Sequence, residues 1–301
     1  MTLEQLRIFA AVAEAQHVTR AARSLNLAQS AASAAIAALE ARHGTKLFHR
    51  VGRGIELTEA GRLFLAEAKA VLARVEAAEL TLAELGGLKR GTLSVQASQT
   101  IASYWLPRHL VAFKRLFPEI EIRLAVGNTV QVADAVRNGA VEIGFAEGIV
   151  DDPALSTAAI ARDQLVLVVA PDHAWARSAH LDLRQLGDSE WILRERGSGT
   201  RDVFETYLKR AGLTLQSLNV SLELPSNEAV RAAVEAGLGA TVVSASVVAS
   251  SIEAGLLHRV PIDLPERAFH VVQHRERYHS LAAEALLKLI TGKGKATRKG
   301  Q

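Results

Sequence analysis

Gln29, Ser30 and Ser33 are hydrogen-bonding side chains at the leading end of a segment otherwise clad in alanine, AQSAASAAIAALEARHG. On a helix they lie opposite an apolar stripe of Ala32, Ile36 and Leu39, whose spacings of four and three mark one face of a 3.6-residue turn. A cylinder this slim fits a major groove, where a glutamine amide bonds bidentately to adenine and small apolar side chains touch the thymine methyl. The chemistry is base recognition. Arg20, Arg23, Lys46 and Arg50 suit phosphates, and Arg53 suits the narrow minor groove of A/T-rich DNA. For any one of these arginines a solvated surface charge is the alternative, most evenly balanced for Arg23 and less so for Arg53.

A second polar constellation recurs about one hundred residues apart. Ser98-Gln99-Thr100 follows a strand-like run, and so does Gly197-Ser198-Gly199-Thr200; Gly127-Asn128-Thr129 and Pro225-Ser226-Asn227 repeat the correspondence at the next strand-to-helix junction. Each junction offers a capping side chain and free N–H groups at a helix N-terminus, where the helix dipole favours an anion. Ser98, Gln99, Thr100, Asn128, Thr129, Ser198, Gly199 and Thr200 form the candidate ligand set, although ordinary capping without a ligand accounts for any one of them. Glu147 and Glu195 fall near the mouth by the same topology. Their charge favours a small oxyanion, or a compact acid that can share a proton, over a polyphosphate. No Gly-Lys-Ser/Thr follows Thr200, so this is not a nucleotide loop.

Covalent and metal chemistry find little support. The ten histidines are scattered and the 301-residue chain has no cysteine, which excludes disulfides, thiolate metal sites and thiol redox switching. His270 and His274 are four apart but lie around a strand-like segment, so they share no helical face as metal ligands. We expect no catalytic residue, no metal and no cofactor. The N-terminus shows no basic-then-apolar leader and no apolar run approaches the roughly 20 residues of a membrane span, which leads to the expectation of a cytoplasmic protein.

These residues need elements to hold them. Val18 to Gly44 reads as two short helices around a turn at Asn26-Leu27-Ala28, with Thr19 capping the first and Ala21, Ala22 and Leu25 facing inward. Leu6, Phe9, Ala10 and Ala13 form the buried face of a preceding helix, and two short strands flank Gly52-Arg53-Gly54. From Thr58 to Leu85, Phe64, Ala68, Val71, Val75, Ala78, Leu82 and Leu85 make a heptad seam, suited to pairing with a second copy or to packing on the chain's own domain. Gly86-Gly87 ends it. Beyond Gly91 strands and helices alternate, which points to α/β layers with parallel strands: Thr92–Ala97, Ile120–Val126, Val141–Phe145, Gln164–Ala170, Trp191–Leu193, Val220–Leu224, Ala240–Val243 and Phe269–Gln273 as strands, with a helix over Thr100–Phe117.

In order and spacing, Phe9, Val12, Thr19, Ala21-Ala22, Leu25, Gln29-Ser30, Ser33, Leu39-Glu40, Gly44, Leu47-Phe48, Arg50, Leu57-Thr58 and Gly61 resemble the LysR-type transcriptional regulators. The segments ASQTIASYWLP, GNT, EIGFAEG and WILRERGSGTR look closest to members regulating sulfur assimilation or carbon fixation. The resemblance implies an α+β multidomain chain: a winged helix-turn-helix over 1–58, a linker and dimerisation helix over 59–88, and an α/β effector module like a periplasmic binding protein. That module comprises subdomain I (89–163 and 267–292) and subdomain II (164–266), with crossovers near Ala161–Gln164 and Leu264–Ala268, and a basic tail over 293–301. It also implies double-stranded DNA with an imperfect dyad, a small anionic effector, RNA polymerase, and a homodimer or homotetramer. Two departures stand out: Ala28 replaces the serine that usually caps the recognition helix, and Ala34 and Ala37 replace longer polar residues.

Charge distribution fits the division. Residues 1–60 carry a balance of +2, residues 291–301 carry +4, and the remainder carries −3. The tail is a solubilising end or an auxiliary phosphate contact. A solute-binding module without a regulatory DNA role, or a hydrolase, is the competing reading; neither explains residues 1–85.

Overall fold

The computed structural model describes residues 1–51, 54–84, 91–148, 150–179 and 181–292. Two compact units divide the chain, the first mainly Met1–Gly87 and the second Leu88–Arg137 with Val141–Gln301. The sequence expectations for Arg53, Leu85, Gly86-Gly87 and the 293–301 tail lie outside the described residues.

In the first unit, α1 (Leu3–Ala15), α2 (Val18–Ser24) and α3 (Gln29–His43) precede a hairpin of β1 (Phe48–Val51) and β2 (Gly54–Leu57), and α4 (Glu59–Glu84) follows. A capping box between Thr2 and Gln5 starts α1. Thr19 does not cap α2, contrary to the sequence expectation: it lies inside the helix, and the extended residue before Val18 is His17, whose Nδ1 accepts from the Arg20 N–H at 3.4 Å. A histidine ring nitrogen accepts as a hydroxyl does, so the capping role shifted by two residues. Asn26 turns the chain at φ +57°, a left-handed conformation that Asn tolerates. Ala28 then begins α3 with no side-chain cap bond, as its methyl requires.

Alanine keeps this head small. Ala21, Ala22 and Ala32 are almost wholly buried against Ile8 and Val12, which lets three helices approach closely. A second cluster joins Leu6, Phe9, Leu39, Leu47 and Ala68, with Phe64, Leu65 and Leu72 packed on it. The Phe9 ring lies 4.9 Å from Phe64 and 5.4 Å from Phe48. Along the seam expected from the heptads, Ala68 is buried in its own head and Phe64 is half-buried against it, so the first turns of the stripe pack within the chain. Farther along α4, Val71 is 42% exposed, Val75 is half-buried and Ala78 is exposed. The side chain of Leu82, like Leu85, lies outside the described residues.

The second unit alternates strands and helices: β3 (Gly91–Ser98), a π-helical turn at Ile101–Trp105 running into α5 (Leu106–Leu116), β4 (Ile120–Gly127), α6 (Thr129–Asn138), β5 (Ile143–Glu147), β6 (Leu155–Val169), β7 (Glu190–Arg194), α7 (Gly199–Arg210), β8 (Asn219–Leu224), α8 (Asn227–Glu235), β9 (Ala240–Ser244), α9 (Ala245–Glu253), β10 (His258–Val260), β11 (Glu266–His274) and α10 (Leu281–Thr291). The hydrogen-bonded order is β4-β3-β5-β11-β6-β9-β7-β8, with β10 on β6. β3 pairs in parallel with β4 and β5, and β7 with β8 and β9. β6 and β11 break the all-parallel expectation, because they run antiparallel to each other and carry the chain between the two groups of strands.

The apolar clusters respect that division. Leu93, Val95, Trp105, Phe113, Phe145 and Leu286 pack on one side, with Val132, Val136 and Val272 behind them. Leu165, Trp175, Trp191, Phe204, Val242 and Val260 pack on the other, with Val168, Val230 and Val247 behind. Among the described residues no helix is long and apolar enough to cross a membrane.

Candidate functional site

Gln29, Ser30 and Arg20 are exposed on the head, and Ser33 and Thr19 are half-exposed. The buried side of α3 is Ala32, Leu39 and Glu40, so its polar leading end faces outward. Arg50 is exposed on β1. Lys46 also projects outward, but its ammonium lies 2.7 Å from the Glu40 carboxylate, so any phosphate it meets shares it with that acid.

In the second unit the four strand-to-helix junctions converge on buried hydroxyls. Ser98, Thr100, Thr129, Ser198 and Thr200 are each 1–2% exposed. Two of them, Thr100 and Thr200, meet on a residue absent from the sequence-based set, Arg267 on β11. Its Nε donates to Asp163 at 2.8 Å, its Nη1 to the Thr200 hydroxyl at 2.7 Å and its Nη2 to the Thr100 hydroxyl at 3.4 Å. Asp163 is its register partner across the β6–β11 pair and also accepts from the Ser244 hydroxyl at 2.6 Å.

Glu147 belongs to the same cluster. It is not at a mouth, as its topology had led us to expect, but 2% exposed at the end of β5, accepting from the Ser98 hydroxyl and lying 3.6 Å from Arg267. Its backbone carbonyl accepts from the Thr129 hydroxyl. Glu195, partly exposed, pairs with the buried Arg194 at 2.8 Å. Each carboxylate thus has a guanidinium beside it, and the net repulsion of an anion is weaker than the acids alone implied.

Asn227, which the sequence places at the fourth junction but not in the candidate ligand set, closes the arrangement. Its backbone N–H donates to Gln99 Oε1 at 2.6 Å, its Nδ2 to the Thr100 hydroxyl at 3.0 Å, and its Oδ1 accepts from Arg194 Nη1 at 2.6 Å. Tyr104 reaches Glu228 at 3.3 Å, and burial, then the Glu228 charge, pushes its phenol above the ordinary range. Asn128 spends its Oδ1 capping α6 through the Gln131 N–H, the ordinary role, while its Nδ2 lies 3.4 Å from Glu195. Ser198 makes no side-chain cap bond. Gly199 sits so close to β5 that an added Cβ would lie 1.9 Å from the Glu147 carbonyl oxygen.

The π-helical turn directly follows Thr100. Pro107 has no N–H to donate, and the N–H of Leu106 reaches back five residues to the Ile101 carbonyl. Such widened turns recur at functional sites. The arrangement brings together two guanidinium groups, three side-chain amides, five hydroxyls and three carboxylates, which in this structure bond largely to one another.

His270 and His274 lie on β11, a strand, as their sequence implied. Among the described residues no group of three or more His, Asp or Glu is placed to hold a metal ion.

Two family models match this chain: one described as bacterial regulatory helix-turn-helix protein, lysR family, over residues 3–62, and one described as LysR substrate binding domain, over residues 86–295. The uncharacterized HTH-type transcriptional regulator YeiE of Escherichia coli (strain K12) is 36% identical over 289 residues, covering 95% of this chain and 96% of YeiE. A probable RuBisCO transcriptional regulator of Cyanidioschyzon merolae is 34% identical over 287 residues, covering 94% of this chain and 95% of that protein. Among solved structures, the CcmR regulatory domain of Synechocystis PCC6803 in complex with 2-PG aligns with a TM-score of 0.62 at 26% identity, covering 69% of this chain and 99% of that domain.

Proposed function

Because the chain belongs to the LysR family of bacterial helix-turn-helix regulators, we propose that it reads promoter DNA through Gln29, Ser30 and Ser33 and tunes that reading to a small anionic effector held among Ser98, Thr100, Thr129, Ser198, Gly199 and Thr200. It acts as a regulator and not as an enzyme, and it works in the cytoplasm, where its DNA is. Two copies joined along the outer part of α4, from Val71 onward, would set two reading heads on a dyad, and two such pairs would bridge two sites.

The observation that carries the effector reading is that three of the four junctions meet Arg267 or Arg194, through Thr100, Thr200 and Asn227, while the fourth, at Asn128-Thr129, meets Glu195 and the Glu147 carbonyl beside them. Arg267 and Arg194 offer N–H donors to one anionic oxygen group, while three carboxylates, Asp163, Glu147 and Glu195, outnumber them and repel a second or third negative charge, and Glu147 and Glu195 can accept from a proton-bearing oxygen. A monoanion that keeps an O–H suits this pattern better than a fully ionised polyphosphate. The relatives named for RuBisCO regulation and the CcmR domain solved with 2-PG support an effector drawn from metabolism. Calorimetry against sulfite, sulfate, thiosulfate, bicarbonate and small hydroxy acids tests the class; binding only by polyphosphates would refute it.

Two outcomes follow. Thr200→Val keeps the shape of a buried side chain but removes the oxygen that meets Arg267, so effector affinity should fall at least about tenfold with operator affinity unchanged. Unchanged calorimetric affinity would remove Thr200 from the site. Gln29→Ala should reduce discrimination between operator variants by roughly 1–3 kcal/mol at one base step. Equal weakening on every sequence, measured by gel shift at fixed salt, would assign Gln29 to the backbone instead.

A further inference from the structure

The link between recognition helix and wing is gripped from both sides. Glu40, in the last turns of α3, is 8% exposed, and its carboxylate accepts from the N–H groups of Leu47 at 2.9 Å and Phe48 at 3.2 Å and from the Lys46 ammonium at 2.7 Å. Thr58, just before α4, holds two carbonyls of the same segment. Its hydroxyl donates to the Lys46 carbonyl at 2.8 Å, its N–H donates to the Leu47 carbonyl at 3.0 Å, and its hydroxyl accepts from the Gly61 N–H at 2.9 Å. Gly61 comes so near that an added Cβ would lie 2.1 Å from the Leu47 carbonyl oxygen. One turn on, Arg62 donates to the Leu57 carbonyl at 3.0 Å, and farther along Lys69 on α4 pairs with Glu14 on α1 at 2.7 Å.

A buried carboxylate on the recognition helix is costly unless it is paired. Here its partners are the Lys46 ammonium and two backbone N–H groups, of Leu47 and Phe48, at the base of the wing, and the backbone pair fixes its geometry. Burial alone would raise the Glu40 carboxyl, but the bonds from Lys46, Leu47 and Phe48 outweigh it and hold the group below its usual range. The grip therefore weakens only as pH falls through that lowered value.

We propose that Glu40 and Thr58 are positioning residues for DNA recognition: they make the recognition helix, the base of the wing and the first turns of α4 one rigid body. A signal delivered along α4 then swings the whole reading head and does not bend it at the wing. The inference rests on the DNA-reading function above and goes beyond it by assigning how the head is held.

The test uses the full-length protein and a promoter fragment that the unaltered chain protects from hydroxyl radicals. Glu40→Gln and Thr58→Val should each weaken operator binding about tenfold, losing protection at the phosphates flanking each half-site while keeping it over the central groove. Thr58→Ser, which restores the hydroxyl, should restore the flank. Unaltered footprints in both variants would overturn the proposal, and so would uniform loss across the site in a variant whose circular dichroism matches the parent. If Glu40→Gln does not fold, the Thr58→Val and Thr58→Ser pair decides alone, equal flank protection in the two overturning the idea. A parent protein that protects no promoter would instead overturn the DNA-reading function itself.

Discussion

Arg267→Met should destabilise the effector module by roughly 3–5 kcal/mol, the cost of stripping a buried charge of its partner. The Arg267 side chain is only 2% exposed, and those of Asp163 and Glu147 are 5% and 3% exposed. With methionine in its place the stem is still filled, but two buried carboxylates lose their cation and the Thr100 and Thr200 hydroxyls lose a donor. For a module of this size each kcal/mol moves the midpoint about 2–4 °C, so the melting temperature should fall by roughly 6–20 °C. The protein supplies its own reporter, since its three tryptophans, Trp105, Trp175 and Trp191, all lie in the second unit. Arg267→Met with Asp163→Asn should recover part of the loss, because the second change removes the charge that the first leaves unpaired. A single-variant loss under about 1 kcal/mol would mean that water reaches the pair and screens it.

The reading head was legible because its determinants are local. Ala21, Ala22, Ala32 and Leu39 announce their buried faces through helical spacing, and the hairpin announces itself by its Gly-flanked turn. The seam on α4 was harder. A helix uses the same spacing to pack on its own domain and on a second copy, so Phe64 and Ala68 could not be told from Val71 until Phe9 was seen against Phe64. Serine-rich α9 went unread for a related reason, since its serines look like a loop until Ser244 is found capping the helix through the Ser246 N–H.

The candidate site shows the opposite limit. Its hydroxyls were visible as strand-to-helix junctions, whereas Arg267 and Asp163 stand 104 residues apart and become partners only when two crossing strands align. One clue was present: Arg162-Asp163 and Glu266-Arg267 place opposite charges in both crossovers. The alternation of a strand sends Arg162 and Glu266 to water, 3.1 Å apart, and Asp163 and Arg267 inward. Recognising that required knowing the register, which no local pattern supplies.

Gly199→Ala should cost effector binding more than its single methyl implies. The backbone at Gly199 is not left-handed, so alanine brings no conformational strain, and the effect is steric. Its Cβ would stand 1.9 Å from the Glu147 carbonyl oxygen and 2.7 Å from the Thr129 hydroxyl, both on the facing group of strands and helices. Neither neighbour is the free end of a flexible side chain. The two halves of the module must therefore part by an ångström or more, lengthening the Arg267 bond to Thr200 and the Asn227 bond to Thr100 together. Overpacking of this kind costs about 1–3 kcal/mol, which as lost closure energy is a 5- to 150-fold weaker effector affinity. Gly212→Ala is the control: it carries a left-handed φ of +74° but has no neighbour within 4 Å, so it should lower stability without touching affinity. If both variants lose affinity alike, general destabilisation explains the result. If Gly199→Ala alone loses it and small-angle scattering shows the module expanded, contact between the halves at this glycine is what lets an effector be felt.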